Sequence, residues 1–160
     1  MTLSIRPATL DDAAEVARVH VQADRETYQA IFGRKFREVE LSQSQARWTA
    51  ALVADAVFLV AEDDGAIVGF AQAHENWLSA LYLLASHRRQ GMGARLLAEV
   101  RQQLAARGVA EIGFQCVADN AAAIAFYEAQ GARQTGRKLE GEGDDAWWDV
   151  VFVLATSAAG

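Results

Sequence analysis

An apolar run leads into a basic turn with two glycines at residues 81–94, which read Leu81-Tyr82-Leu83-Leu84-Ala85-Ser86-His87-Arg88-Arg89-Gln90-Gly91-Met92-Gly93-Ala94. The pattern predicts a buried strand, a turn and the start of a helix. Unpaired N–H groups and the helix dipole favour an anion at such a junction. Gly91 and Gly93 lack a Cβ, so a phosphate could approach the backbone, and Arg88 and Arg89 add positive charge. The segment predicts a pyrophosphate site, although a helix start with solvated arginines would give the same pattern.

Two familiar phosphate loops do not fit this turn. A Walker A loop needs Gly-Lys-Ser/Thr, which is absent. A dinucleotide fingerprint needs a third glycine or alanine where Leu96 stands, and it expects the loop after the first strand rather than the fourth. The pattern Arg/Gln-x-x-Gly-x-Gly/Ala is satisfied by Arg88, Gly91 and Gly93.

The rest of the chain predicts one α/β (α+β) domain. Seven short runs predict strands: 3–6, 57–61, 67–73, 78–84, 111–117, 132–138 and 147–154. About four helices are predicted: one capped by Thr9 or Asp11 with a shorter second piece at 28–32, one capped by Ser42 or Ser44, one over 94–107, and one over 120–130. The turn Asp63-Asp64-Gly65 predicts a hairpin. Because a strand–helix–strand crossover requires parallel pairing, we expect a mixed, mostly antiparallel sheet of six to seven strands with a central parallel pair.

Composition sets further bounds. The 160 residues are 52% hydrophobic, enough for one sizeable core, so 1–160 is expected to be a single domain with a frayed tail at 155–160. The net charge of −6 argues against nucleic-acid binding and is compatible with a cationic substrate. Since there is neither a signal-peptide pattern nor an apolar run of about 20 residues, we expect a cytoplasmic protein with no membrane partner.

The single cysteine, Cys116, excludes an intramolecular disulfide, and no Cys/His cluster has the spacing of a zinc site. We therefore expect no metal. Cys116 lies in the predicted strand 111–117, where a free cysteine is usually a small buried residue.

A second segment, 118–131, reads Ala118-Asp119-Asn120-Ala121-Ala122-Ala123-Ile124-Ala125-Phe126-Tyr127-Glu128-Ala129-Gln130-Gly131. Together with residues 80–97, in this order and spacing, it resembles the GNAT superfamily of acetyl-CoA-dependent N-acetyltransferases, whose matching helix carries an "Asn…Ala…Tyr-Glu…Gly" pattern. The resemblance extends from Leu3 to about Leu154. It implies a single GNAT-like domain in which the central parallel pair of strands is splayed.

The resemblance also implies roles for particular residues. The pantetheine arm of acetyl-CoA would pair with the strand at Leu81 to Leu83, and the amides from Arg89 to Ala94 would hold the pyrophosphate. The residues expected to contact acetyl-CoA are Leu81, Tyr82, Leu83, Arg88, Arg89, Gln90, Gly91, Met92, Gly93, Ala94 and Asn120. Tyr127 would protonate the leaving thiolate. Two simpler interpretations remain open, because Asn120 is a good helix cap in any case and Tyr127 could be a core residue.

The general base is not where the resemblance would put it. The matching glutamate of the fifth strand is Gln115, which cannot accept the proton, and that of the fourth strand is Trp77. Glu75, two residues before Trp77, is the candidate base, acting directly or through a water molecule, although a solvated turn carboxylate would look the same. His74 is the second candidate, since the pKa of histidine is near neutrality.

The acceptor site in such proteins is built from the first two helices and the last hairpin. Carboxylates beside aromatic rings suit a cationic amine, and the residues expected to bind it are Glu26, Tyr28 and Trp77. Asp24, Phe32 and Trp48 belong to the same predicted site, and the last hairpin could add Glu142, Asp144, Asp145 and Trp147. Ordinary core packing and solvated charge would give the same composition.

The expected function is direct transfer of an acetyl group from acetyl-CoA, as cosubstrate, to a primary amine of a small molecule or peptide. An acyl-CoA-binding sensor with little or no catalysis is the alternative, because both family carboxylates are missing. A nucleotide-binding regulatory domain is disfavoured by Leu96. Dimers are common among the proteins that the chain resembles, so a homodimer is an open expectation.

Overall fold

The computed structural model describes residues 2–157, which form one sheet of seven strands and four helices. The strands are β1 (Leu3–Pro7), β2 (Val57–Asp63), β3 (Ala66–His74), β4 (Trp77–Leu83), β5 (Glu111–Val117), β6 (Arg133–Glu140) and β7 (Trp147–Ala155). The helices are α1 (Ala13–Phe32), α2 (Leu41–Val53), α3 (Met92–Ala106) and α4 (Ala121–Ala129).

The strand order is β1-β2-β3-β4-β5-β7-β6, and every neighbouring pair is antiparallel except β4 and β5. These two run parallel and meet at one register pair, Trp77 with Gly113. Beyond that pair they separate toward their carboxyl ends. The predicted mixed sheet with a central splayed parallel pair is therefore confirmed.

Helices cover both faces of the sheet. On the α3 face, α3 and α4 pack on a core that includes Leu96, Val100 and Phe152. On the α1 face, α1 and α2 enclose a second core around Trp48 and Phe70. Aromatic edge-to-face contacts hold this second core together, since the Trp48 and Phe70 ring centroids are 5.0 Å apart at 72°.

A bulge in β4 decides which side chains face which core. The register shifts from Gln72 opposite Ala80 to Ala73 opposite Leu78, so Ser79 is the extra residue. After the bulge, Leu81 packs on the α3 face and Tyr82 packs on the α1 face. The bulge thus turns the Tyr82 ring toward α1.

Three predicted elements differ from the structure. Helix α1 is a single helix to Phe32, rather than two pieces, because no helix breaker occurs before Gly33, whose φ is +57°. Helix α2 begins after Glu40, so neither Ser42 nor Ser44 is its cap, and Ser44 is buried inside it. Strand β4, predicted to be buried, is only partly so, since its first residue is exposed and its last three line the cavity described below.

The predicted frayed tail, 155–160, lies only partly within the described residues. Ala155 pairs with Glu111 in the sheet. Thr156 is buried, and its hydroxyl donates to the carbonyl oxygen of Val109 over 2.6 Å. These two residues are therefore anchored, and 158–160 lie outside the described residues.

Gly69 in β3 is expected to be essential for packing against β4. A Cβ at this position would lie 2.6 Å from the Tyr82 carbonyl oxygen and would also overlap Leu83 Cδ2. Because a backbone atom has to move, we expect Gly69→Ala to lower the free energy of unfolding by about 1–3 kcal/mol in urea titrations. Gly136→Ala is the control, since a Cβ there meets nothing within 4 Å. Equal urea midpoints for the two variants would contradict this expectation.

Candidate active site

A cavity of about 600 Å³ opens where β4 and β5 separate. It passes between the two faces of the sheet, because its wall includes residues of α1 on one side and of α4 on the other. The lining comes from five places: Thr27 and Tyr28 of α1, residues 78–83 of β4, the turn at 88–94, residues 114–116 of β5, and residues 120–130 around α4. The segments that the sequence singled out, 81–94 and 118–131, meet at this cavity.

The carboxyl half of β4 forms one edge of the cavity. The β4–β5 ladder consists of the Trp77–Gly113 pair, so Leu81, Tyr82 and Leu83 have no neighbouring strand on their β5 side within residues 2–157. On the other side they pair with β3. An extended, amide-bearing ligand arm could pair with this free edge as an added strand.

The glycine turn closes one end of the cavity. Gly91 has a φ of +82° and is the N-cap of α3, and Arg89 is also left-handed, with a φ of +61°. A Cβ at Gly91 would meet nothing within 4 Å, so the space over the turn is open. The first-turn amides of α3 have no intrahelical acceptors and face an anion favourably. The local structure can therefore hold a phosphate group as the sequence predicts.

Side chains of the turn differ in what they can contribute. The Arg88 guanidinium donates to the Leu83 carbonyl oxygen over 3.0 Å and to Thr27 Oγ1 over 2.8 Å, so it ties the turn to β4 and α1. Arg89 lines the cavity and is exposed. The side chain of Gln90 donates to the Ser86 carbonyl oxygen, and that of Met92 is buried in the α3-face core. Met92 can offer a ligand only its backbone, whereas the exposed Gln90 keeps its amide oxygen and one N–H available.

Asn120 and Tyr127 each combine a structural position with a place on the cavity wall. Asn120 Oδ1 accepts from the Ala123 amide over 3.2 Å, as a helix cap does, and Asn120 and Tyr28 both line the cavity. The Tyr127 ring packs on Phe114, with centroids 4.4 Å apart. Burial, and then the nearby Cys116 thiol, raise the pKa of Tyr127, so its hydroxyl stays protonated at neutral pH.

Aromatic side chains line the α1 side of this region. The Phe32 ring lies 5.9 Å from Tyr28 and 5.6 Å from Trp147, measured between centroids. Lys35 Nζ donates to the Asp144 carbonyl oxygen, so the end of α1 is joined to the β6–β7 loop. Tyr28 lines the cavity itself. Of the aromatic residues predicted for the acceptor site, Tyr28 thus reaches the cavity wall.

The structure does not bring all predicted acceptor residues to the cavity. Glu75 lies in the exposed β3–β4 turn, and Trp77 is 39% exposed and covers Gly113 at the paired end of β4. Both are at the amino end of β4, and neither lines the cavity, whose β4 wall begins at Leu78. Glu26 accepts from the Ala85 amide over 3.1 Å, and Trp48 is a core residue.

Sequence reasoning overlooked the surroundings of Gln115. Its amide donates to Asp149 of β7 and to Glu140 of β6, and Trp147 Nε1 donates to the other oxygen of Asp149. Gln115 and Cys116 both line the cavity. The alternation along β7 predicts from sequence that Trp147 and Asp149 share one face. Their contact with Gln115 depends on the β5–β7 register.

Asp24 lies one turn before Tyr28 on α1 and is half-buried. Burial raises its pKa to about 6, and its charge raises the pKa of both Tyr28 and Tyr82. This carboxylate is protonated more readily in the folded chain than in the unfolded one. The free energy of unfolding therefore falls as pH rises from about 4 to about 6. Above pH 6 this destabilisation is fully present.

Asp24→Asn is therefore expected to stabilise the protein at pH 8, raising Tm by about 2–4 °C, and to have a smaller effect at pH 5. Thermal melts at both pH values measure this difference. Asp55→Asn is the control, because the Asp55 side chain is 97% exposed, and it should change Tm equally little at both pH values. A lower Tm for Asp24→Asn at pH 8 would show that the carboxylate has a stabilising partner.

No group of three or more His, Cys, Asp or Glu side chains within residues 2–157 is placed to hold a metal ion. In the same part of the chain, every helix is too short or too polar to cross a membrane.

Comparisons with known proteins place these features in a family. Residues 21–132 match the model of the acetyltransferase (GNAT) family. An uncharacterised N-acetyltransferase of Bacillus subtilis, YuaI, is 29% identical over 107 residues, which cover 61% of this chain. The match likewise spans 61% of YuaI, somewhat less than two thirds of its length.

Solved structures agree at the level of the fold. The structure of yncA from Salmonella typhimurium, with its cofactor acetyl-CoA, has a TM-score of 0.76 at 21% identity and covers 100% of this chain and 97% of its own. A ribosomal-protein-alanine N-acetyltransferase from Brucella melitensis has a TM-score of 0.76 at 26% identity. The match covers 95% of this chain and 99% of the Brucella chain. The predicted resemblance is confirmed: this chain belongs to the acetyltransferase (GNAT) family.

Proposed function

We propose that the protein transfers an acetyl group from acetyl-CoA to a primary amine of a small molecule or peptide. One observation carries this proposal. The cavity joins a helix start with free first-turn amides, a free strand edge and a protonated phenol along a single path through the sheet. Those are the three features that a diphosphate, an amide-bearing arm and a departing thiolate require.

The cosubstrate would lie along the β4 edge. Amides from Arg89 to Ala94 would bind the pyrophosphate, and the edge of Leu81 to Leu83 would pair with the pantetheine arm. Asn120 would meet the arm from the other side. The thioester would then lie between Tyr127 and the α1 side, with its carbonyl oxygen near a backbone N–H of the splayed strand.

The reaction would proceed by direct attack. The neutral amine forms a bond to the thioester carbonyl carbon, the C–S bond breaks, and the Tyr127 hydroxyl gives its proton to the thiolate. The attacking nitrogen loses one proton, and the Tyr127 phenolate takes up a proton from solvent before the next turnover. Glu75 lies outside the cavity, so in this proposal the proton leaves on the α1 side, where Asp24 has a pKa of about 6.

An acyl-CoA-binding sensor is the second candidate. Gln115 favours this candidate. It lines the cavity at the position where the family resemblance implies a glutamate, and its amide cannot take a proton. A sensor would bind the thioester through the same turn and strand edge without needing an acceptor amine.

Two measurements test these candidates. Thermal shifts with acetyl-CoA, NAD and ATP examine the ligand, and we expect a shift with acetyl-CoA alone. CoA release is then measured over polyamines, aminoglycosides, amino acids and peptides with free N-termini. Tight acetyl-CoA binding without turnover in the whole panel would favour the sensor, and no thermal shift with acetyl-CoA would overturn both candidates.

A further inference from the structure

The amide of Gln115 is held between two carboxylates. Its Nε2 donates to Asp149 Oδ2 over 2.7 Å and to Glu140 Oε1 over 3.0 Å. Asp149 is 7% exposed, and its other oxygen accepts from Trp147 Nε1 over 2.9 Å. Both N–H donors of the amide are therefore used within the protein.

These partners fix the orientation of the amide. Ionised carboxylates only accept hydrogen bonds, so a rotated amide would place its oxygen against two other oxygens. The hydrogen bonds to Gln115 and Lys138 lower the pKa of Glu140, which keeps that partner ionised at neutral pH. Gln115 can consequently present a ligand with its carbonyl oxygen and with nothing else.

The oxygen is available to a ligand. Gln115 lines the cavity and is half-buried, and its Oε1 accepts no hydrogen bond within residues 2–157. Gln115 and Gly113 share the α1 face of β5, the side on which Tyr28 stands. The amide oxygen thus lies at the acceptor side of the cavity rather than at the glycine turn.

The charged groups that contact the Gln115 amide have a net negative charge. Asp149 and Glu140 are negative, and Lys138 Nζ lies 3.2 Å from Glu140, so one negative charge remains uncompensated in this group. Negative charge near a half-buried carbonyl oxygen favours a cationic hydrogen-bond donor over a neutral one. A carboxylate or phosphate group would be repelled at this point.

We propose that Gln115 determines acceptor specificity by accepting a hydrogen bond from the ammonium or amine group of a cationic acceptor, with Asp149 as the positioning residue that aims the amide. The proposal rests on the proposed acetyl transfer and specifies the substrate class of that same site. The glutamate-to-glutamine departure then exchanges a proton acceptor for a fixed hydrogen-bond acceptor.

The test is steady-state kinetics of Gln115→Met, which keeps the side-chain length but removes the amide. Losing a hydrogen bond to a charged group should raise KM for the amine by roughly 10- to 100-fold. Because the bond exists before and during transfer, kcat should change much less than KM. The Kd of acetyl-CoA, measured by calorimetry, should stay within about twofold, since the turn and the β4 edge are untouched.

Gln134→Met is the matched control. Gln134 is exposed on β6 and also donates to a carboxylate, Glu128, over 3.0 Å, but it lies outside the cavity. A second variant, Asp149→Asn, gives the amide a partner that can both donate and accept, so the amide can rotate. We expect this variant to raise KM for the amine as well, with the Kd of acetyl-CoA unchanged.

The outcomes separate the possibilities. An active wild type whose Gln115→Met variant has a lower Tm but an unchanged KM for the amine would overturn this inference and leave acetyl transfer intact. An unchanged KM in folded Asp149→Asn would overturn the positioning role. Wild-type protein that turns over no amine overturns the proposed function and this inference together.

Discussion

Gly91→Glu is expected to weaken acetyl-CoA binding by more than about 100-fold, as measured by calorimetry. Nothing lies within 4 Å of a Cβ at this position, so the new side chain extends into the open space over the turn. Its carboxylate would occupy the place that the first-turn amides of α3 offer to the pyrophosphate, and the helix dipole would hold it there. Charge repulsion and occupancy then act together.

The left-handed backbone needs its own control. Gly91 has a φ of +82°, and a side chain there is strained at a cost of about 1 kcal/mol. Gly108 follows the other end of the same helix with a φ of +85°, and a Cβ there also meets nothing within 4 Å. Gly108→Glu should lose similar stability but bind acetyl-CoA like the wild type. Near-normal affinity in Gly91→Glu would contradict a pyrophosphate site at this turn.

Tyr127→Phe is expected to lower kcat by about 100-fold or more, which is the usual contribution of a general acid. The affinity for acetyl-CoA should change little, because the phenyl ring keeps its packing against Phe114 and Phe152. Steady-state kinetics with an amine found in the panel gives kcat, and calorimetry gives the affinity.

Thermal melts show whether the Tyr127→Phe variant remains folded, and a normal Tm with reduced kcat would support the acid role. A kcat within about twofold of the wild type would leave Tyr127 as a core residue only. Removing the phenol oxygen of Tyr127 thereby distinguishes the general-acid role from a purely structural role in the core.

The parts of the fold that local sequence controls could be predicted. The hairpin at Asp63-Asp64-Gly65 follows from turn chemistry, and Asp64 and Gly65 do have positive φ. Strand β5 has the predicted bounds, because alternation and flanking residues define it. The sequence predicts two helical pieces where α1 is one, because the apolar stripe is weaker in its second half, yet nothing in it breaks a helix before Gly33.

The site divides in the same way. The glycine turn and the helix from Asn120 are local, and both reach the cavity as predicted. The positions predicted for Glu75 and Trp77 rest on the family resemblance alone, because the end at which β4 and β5 separate depends on a pairing that a sequence does not display. The partners of Gln115 are 25 and 34 residues away, so only the register of β5, β7 and β6 brings them together.

The single register pair between β4 and β5 has a mechanical consequence. The sheet consists of two groups of paired strands, β1–β4 and β5–β7. They meet at the Trp77–Gly113 pair and are separated at the carboxyl ends of β4 and β5. Within residues 2–157, no strand pairs with β4 on its β5 side at the open end. An extended ligand arm in that gap would supply hydrogen bonds between the two strand groups. Cosubstrate binding would then reduce the motion of β1–β4 relative to β5–β7.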